Sequence, residues 1–100
     1  AMLNWTKTLS KEVARFNITV NNVLPGYTDT ERLLEVIDGV SAKQGISKDD
    51  YSNKIISQIP MGRFGRPEEI GAVAGFLISE EASFVNGVSI PVDGGWTPCP

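Results

Sequence analysis

Apolar residues recur along the first sixteen positions at helical spacing. Met2, Trp5, Leu9, Val13 and Phe16 are separated by 3, 4, 4 and 3 residues, which places them on one face. Residues 1–17 therefore read as a helix, with Asn17 suited to close it in the left-handed conformation. The pattern then changes. Ile18-Thr19-Val20-Asn21-Asn22-Val23-Leu24 is short and rich in β-branched residues, which predicts a strand, and Pro25-Gly26 stops it. Thr28 and Glu31 have the spacing of a capping box, so a helix is expected from about 30 to 44, carrying Leu33, Leu34, Val36, Ile37 and Val40 and ending at Gly45. Ser47 with Asp50 predicts the start of another helix, which runs through Tyr51, Ile55 and Ile56 to about Gln58. Pro67-Glu68-Glu69 opens a third predicted helix after the first: proline lacks an N–H that would go unpaired there, and two carboxylates face the positive end of the dipole. Ile70, Val73, Ala74, Leu77 and Ile78 give it an apolar stripe over 67–79, and residues 88–92 read as a last strand.

The predicted order is helix, strand, two-helix insert, helix, strand. A strand–helix–strand crossover implies a parallel pair joined by a right-handed connection. Parallel sheets are ordinarily larger and covered on both faces, and two strands alone are marginal. The pattern by itself thus predicts a chain that is part of a larger sheet or that assembles.

Composition narrows the function without naming it. A chain of 100 residues with 41% apolar and 21% charged residues is an ordinary globular domain. Its net charge of −3, with no cluster of Lys or Arg, excludes nucleic acid and anionic membrane surfaces as main partners. No apolar run nears the ~20 residues of a membrane span, and no signal peptide is evident. One cysteine, Cys99, and no histidine leave no disulfide and no zinc site, so the expected location is the cytoplasm and no metal is expected.

The candidate chemistry sits at the end of the first strand. Pro25-Gly26 lies at the carboxyl end of a parallel strand, where open α/β sheets bind ligands. On its own the segment Pro25-Gly26-Tyr27-Thr28 also fits a strand-ending turn and a helix cap. Leu33, Leu34, Val36, Ile37 and Ile55 fit either the lining of an apolar pocket or simple packing. Tyr51 and Lys54 are three residues apart rather than four, and residue 55 is isoleucine; both read as surface residues. Arg63 and Arg66 are expected to pair with Glu68, Glu69 or nearby carbonyls.

Three blocks in order, residues 18–30, residues 60–70 and residues 87–95 ending in Asp93-Gly94-Gly95, resemble the C-terminal part of a short-chain dehydrogenase/reductase, in the branch of 3-oxoacyl-acyl-carrier-protein reductases. The resemblance covers the chain from about Ala1 to Trp96. It implies an α/β fold: the C-terminal portion of a Rossmann-type doubly wound parallel sheet, with two parallel strands and about four helices in a single partial domain. It divides the chain into a helix (1–17), a strand and cofactor-side loop (18–30), a helical substrate lid (31–59), and a helix with the final strand (60–100).

The resemblance also implies an oxidoreductase that moves hydride between NAD or NADP and a carbonyl or alcohol. Pro25 and Gly26 would pack on the nicotinamide, the backbone of Thr28 would bond its carboxamide, and the Thr30 hydroxyl would bond the carboxamide or the phosphates. Leu33, Leu34, Ile37 and Ile55 would line the lid over a small-molecule substrate. A homo-oligomer is expected through helix 67–79 and strand 88–92. The Gly-rich phosphate loop and the Tyr-x-x-x-Lys pair of the family do not occur in these residues, so no catalytic residue is assigned, no tight cofactor binding is expected, and the chain alone is expected to be inactive. Met2 fits a translation start behind a tag residue, and residues 1–7 equally resemble the middle of a family helix. The competing expectation is a non-catalytic oligomerisation module or the product of a truncated gene.

Overall fold

The computed structural model describes residues 2–97, apart from the side chains of Met2 and Leu3. Cys99 and the side chain of Met2 lie outside the described part. The elements are α1 (Met2–Val13), β1 (Asn22–Pro25), α2 (Glu31–Gln44), α3 (Lys48–Ile56), α4 (Pro67–Leu77) and β2 (Ser89–Val92), with 3-10 turns at Ala14–Phe16 and Glu80–Ala82. β1 and β2 pair in a two-stranded sheet. Asn22 N–H donates to the Val88 carbonyl and Gly26 N–H to that of Val92, so the strands advance together and the pair is parallel, as the crossover pattern requires. The chain divides into two compact units, one of the segment through Leu24 with Glu68–Pro91, the other of Pro25–Pro67 with the segment from Val92 onward.

In the first unit the helix ends as its sequence predicts: Asn17 takes φ 60° and its N–H returns to the Ala14 carbonyl. The most deeply buried residues of α1 are not those of its apolar stripe, of which Leu9 and Val13 are half-buried. Thr6 and Ser10 are buried, whereas Trp5 and Phe16 are exposed. The small polar face packs because it is bonded. Asn22 Nδ2 donates to Thr6 Oγ1 at 2.6 Å, and Asn86 Nδ2 donates to the Ser10 carbonyl at 3.2 Å. Gly87 makes the close approach possible, because a Cβ there would lie 2.7 Å from Ser10 Oγ.

The first strand is also shorter than the apolar run, beginning at Asn22 rather than Ile18. Side chains replace the ladder before it. Val20 N–H donates to Asn86 Oδ1 at 3.0 Å, Asn21 Nδ2 donates to the Val85 carbonyl at 3.1 Å, and Val88 N–H donates to Asn21 Oδ1 at 3.1 Å. Asparagine is disfavoured in strands because its amide competes for such backbone groups. α4 stops at Leu77, two residues short of the predicted end, with Leu77 buried and Ile78 exposed.

In the second unit α2 is capped by Thr30, not Thr28. Thr30 is extended and its hydroxyl accepts the Leu33 N–H at 3.2 Å. Thr28 is committed elsewhere, its hydroxyl donating to the Gly26 carbonyl at 3.0 Å. Gly45 closes α2 at φ 69°, and Ser47 caps α3 by accepting the Asp50 N–H, both as expected; α3 ends at Ile56, short of Gln58. Ile37, Ile55 and Ile59 form the buried core here, with Leu33, Tyr51 and Phe64 packed against it. Tyr51 is therefore a packing residue rather than a surface one. Burying side chains of this size stabilises by about 1.5–3 kcal/mol each.

Candidate functional site

The Pro25-Gly26 turn is fixed from three directions. Gly26 N–H bonds Val92, holding the loop to the end of the sheet. Gly26 itself meets Asp93: a Cβ at residue 26 would lie 2.6 Å from Asp93 Cβ and 2.8 Å from its Cα. Glycine is thus demanded by a neighbour inside the chain, a reason the strand-and-turn pattern did not reveal. Beyond it, Thr28 forms a parallel bridge with Gly65. Gly65 N–H donates to the Tyr27 carbonyl at 2.9 Å and Asp29 N–H donates to the Gly65 carbonyl at 2.8 Å. Because backbone groups alternate along an extended segment, the Thr28 N–H and C=O then point away from Gly65.

The walls of the turn are aromatic. The Tyr27 ring meets Trp96 edge-on at 5.8 Å and Phe64 at 6.5 Å. Asp93 organises the chain that follows. Its Oδ1 accepts the Gly95 N–H at 3.0 Å and its Oδ2 the Thr97 N–H at 2.9 Å. Gly94 and Gly95 take φ 64° and 89°, a left-handed region costly for other residues, and press on Ile59 and Pro60. Sequence reasoning singled out the Asp-Gly-Gly block but missed that Asp93 seats against Gly26. It also missed Gly65 as the partner of Thr28.

The Asp93 carboxyl is held below its ordinary value, first by the hydrogen bond with the Thr97 side chain; burial opposes this next, and the backbone N–H groups of Thr97, Gly95 and Asp93 itself add to the lowering. A depressed carboxyl contributes stability that is present above the unfolded value of about 3.9 and lost as pH falls through the folded value. Acid titration below about pH 4 should therefore loosen the 93–97 turn. In Asp93→Asn that acid-dependent step should vanish from thermal melts; an unchanged acid limb would refute the assignment.

The residues expected to line the lid are not packed as one group. Leu33, Ile37 and Ile55 come together in the α2/α3 core, while Leu34 and Val36 are 57% and 48% exposed. Lys54 is exposed, as read from its spacing. Arg63 Nη1 donates to the Phe64 carbonyl at 3.1 Å. The α2–α3 segment also carries an ion pair, Lys48 to Asp38 at 2.8 Å, both exposed and so worth little. Among the described residues no group of three or more His, Cys, Asp or Glu could hold a metal, and no helix is long and apolar enough to cross a membrane.

Two hydrogen-bond donors remain available at this turn. The Thr28 amide faces away from its bridge, and the Thr30 hydroxyl, though it accepts from Leu33, keeps its own proton to donate. A family model described as enoyl-(acyl carrier protein) reductase matches residues 1–97. The chain belongs to the short-chain dehydrogenase/reductase family. It is 44% identical over 95 residues to the NADPH-dependent reductase BacG of Bacillus subtilis strain 168, covering 95% of this chain and 37% of that protein. It is 38% identical over 91 residues to the 3-oxoacyl-[acyl-carrier-protein] reductase FabG of Pseudomonas aeruginosa strain PAO1, covering 91% and 32%. It superposes with a TM-score of 0.90 and 34% identity on a short-chain dehydrogenase family protein from Francisella tularensis subsp. tularensis SCHU S4, covering 95% of this chain and 39% of that one. This short-chain dehydrogenase chain thus spans about a third of the length of its curated relatives, and the two parallel strands and four α-helices of its described residues are a portion of the Rossmann fold, as expected.

Proposed function

We propose that the chain is the C-terminal segment of an NAD(P)-dependent short-chain oxidoreductase acting on a carbonyl or alcohol, and that it is inactive by itself. The observation that carries this reading is the Thr28–Gly65 bridge, which turns the Thr28 amide outward beside a Pro-Gly turn held to the end of a parallel strand. In this reading Pro25 and Gly26 border the nicotinamide, the Thr28 N–H and the Thr30 hydroxyl orient its carboxamide, and residues 31–59 close over the substrate. The nicotinamide supplies or receives the hydride. No residue here supplies the proton: neither Tyr27 nor Tyr51 is followed four residues on by lysine, and no histidine is present.

A second reading, a non-catalytic oligomerisation module, is favoured by the exposure of Trp5, Phe76 and Ile78. Helix 67–77 and β2 are the proposed contact surface in either case. Gly71 and Gly75 leave one side of α4 open, with nothing within 4 Å of a Cβ built on either.

The purified chain should show no turnover with NAD(H) or NADP(H) and a dissociation constant weaker than about 100 μM, roughly −5.5 kcal/mol. Calorimetry checks this directly; tight binding, or turnover lost in Thr30→Ala, would overturn the inactive reading. The site assignment has its own test. Millimolar nicotinamide mononucleotide should shift the amide resonances of residues 26–30 and leave those of α1 in place. If residues 26–30 do not move, the cofactor role of the turn is wrong.

A further inference from the structure

Six asparagines occur in the chain, and only Asn86 is followed by glycine. That pair carries a chemistry of its own. A backbone nitrogen that has lost its proton can attack the side-chain carbon Cγ of the asparagine before it. Nδ2 then leaves as ammonia, and a five-membered succinimide closes. Water opens the ring at one carbonyl or the other, giving aspartate or isoaspartate. No oxidant, reductant or other reagent is consumed. A side chain on the following residue hinders the attack, and glycine has none. The other five asparagines are followed by Trp5, Ile18, Asn22, Val23 and Lys54.

The fold holds all three reacting groups. The Gly87 nitrogen, the nucleophile, donates its proton to the Val20 carbonyl at 2.9 Å. Asn86 Nδ2, the leaving group, donates to the Ser10 carbonyl at 3.2 Å. Asn86 Oδ1 accepts the Val20 N–H at 3.0 Å. Ring closure takes the proton from the first group and expels the second, so both of those bonds must be given up. The third bond favours reaction, because an N–H on Oδ1 steadies the negative charge that develops there. Lys7 acts in the same sense, its Nζ donating to the Gly87 carbonyl, but at 3.4 Å and exposed to water this contact is weak. Two bonds surrendered in partly buried surroundings outweigh one strengthened, since each partner left unpaired there is costly. Ser83 and Phe84, just ahead, are exposed, so water reaches the segment as soon as it opens. We propose that Asn86 is a deamidation site kept closed by its bonds to Val20 and Ser10 and released when this junction opens locally. The product lacks the amide donor that met Ser10 and sets a carboxylate in its place. A chain that opens and reacts cannot close as before, so the site keeps a record of opening. It is independent of the cofactor role of residues 26–30.

The experiment holds the purified chain in mildly alkaline buffer, with and without enough urea to unfold it. Digestion and mass spectrometry read the amide-to-acid change at each asparagine. Asn86 should react at least tenfold faster in urea than in the folded chain, and in urea it should outpace the other five. Asn21→Ala removes the neighbouring bonds to Val85 and Val88. In that variant, folded by circular dichroism, deamidation at Asn86 should rise at least threefold. A second measurement serves if the variant does not fold: in the unsubstituted chain, urea below the melting transition should quicken hydrogen exchange at the Gly87 amide and deamidation at Asn86 together. A urea rate less than tenfold above the folded rate would overturn the proposal. So would an unchanged rate in folded Asn21→Ala, or Gly87 exchange that quickens while deamidation does not, because either result would show that these bonds do not guard the site.

Discussion

Gly26→Ala should destabilise the chain by about 3 kcal/mol, at the upper end of what overpacking a single methyl costs. The added Cβ has nowhere to go, because it would stand 2.6 Å from Asp93 Cβ and 2.8 Å from Asp93 Cα, a backbone atom rather than the free end of a side chain. Relief requires moving the 93–97 turn, which the Gly95 and Thr97 N–H groups hold to the Asp93 carboxylate. For a chain of this size the melting temperature should fall by about 12–24 °C. Gly39→Ala is the control. Residue 39 lies inside α2 with nothing within 4 Å of a built Cβ, so alanine there should stabilise by up to about 1 kcal/mol through helix propensity alone. The same substitution is thus expected to act with opposite signs at two sites. Thermal melts that show equal effects at both would refute the packing argument. Loss of nicotinamide mononucleotide shifts in Gly26→Ala without loss of stability would instead assign the glycine to ligand approach.

What could be read from the sequence divides along a physical line. Features set by one residue and its near neighbours were legible: the left-handed Asn17 and Gly45, the Ser47 cap on Asp50, and the proline opening α4. Periodicity located α1 but could not say which face would find a partner. The apolar stripe of Trp5 and Phe16 points outward, because the packed contact runs through Thr6 and Ser10 against Asn22, Asn86 and Gly87. The capping box was misplaced by two residues for a similar reason. Thr28 has suitable spacing to Glu31, but its hydroxyl is drawn back to Gly26 and its neighbours are held by Gly65, thirty-seven positions away. No local pattern encodes that bridge. The candidate cofactor turn itself was legible only through the order of three family blocks, since Pro25-Gly26 alone serves equally as an ordinary end to a strand.

The asparagines at the sheet entrance supply the other large effect. Two adjacent asparagines in a β-branched run signal side chains engaged with backbone, and Asn86 completes the arrangement from the far end of the chain. Asn86 Oδ1 accepts from Val20 N–H and its Nδ2 donates to the Ser10 carbonyl, tying β1's approach to α1. Asn21 spans the gap to β2 in the same region through Val85 and Val88. Alanine at 86 removes both bonds and strands a donor and an acceptor in partly buried surroundings, each costing about 1–3 kcal/mol when left unpaired. Partial access of water reduces this, so the expected loss is about 2–3 kcal/mol. Asn86→Asp keeps the acceptor for Val20 but sets a carboxylate against the Ser10 carbonyl, so near neutral pH it should be no better than alanine and should recover partly when the carboxylate is protonated. Asn21→Ala should cost a similar amount. Because both side chains fix the same junction, the double variant should fall short of the sum by at least about 0.5 kcal/mol. Denaturant melts of the four proteins decide it: an Asn86→Ala loss under about 0.5 kcal/mol, or strict additivity with Asn21→Ala, would show that the junction is held by the strand ladder and not by its asparagines.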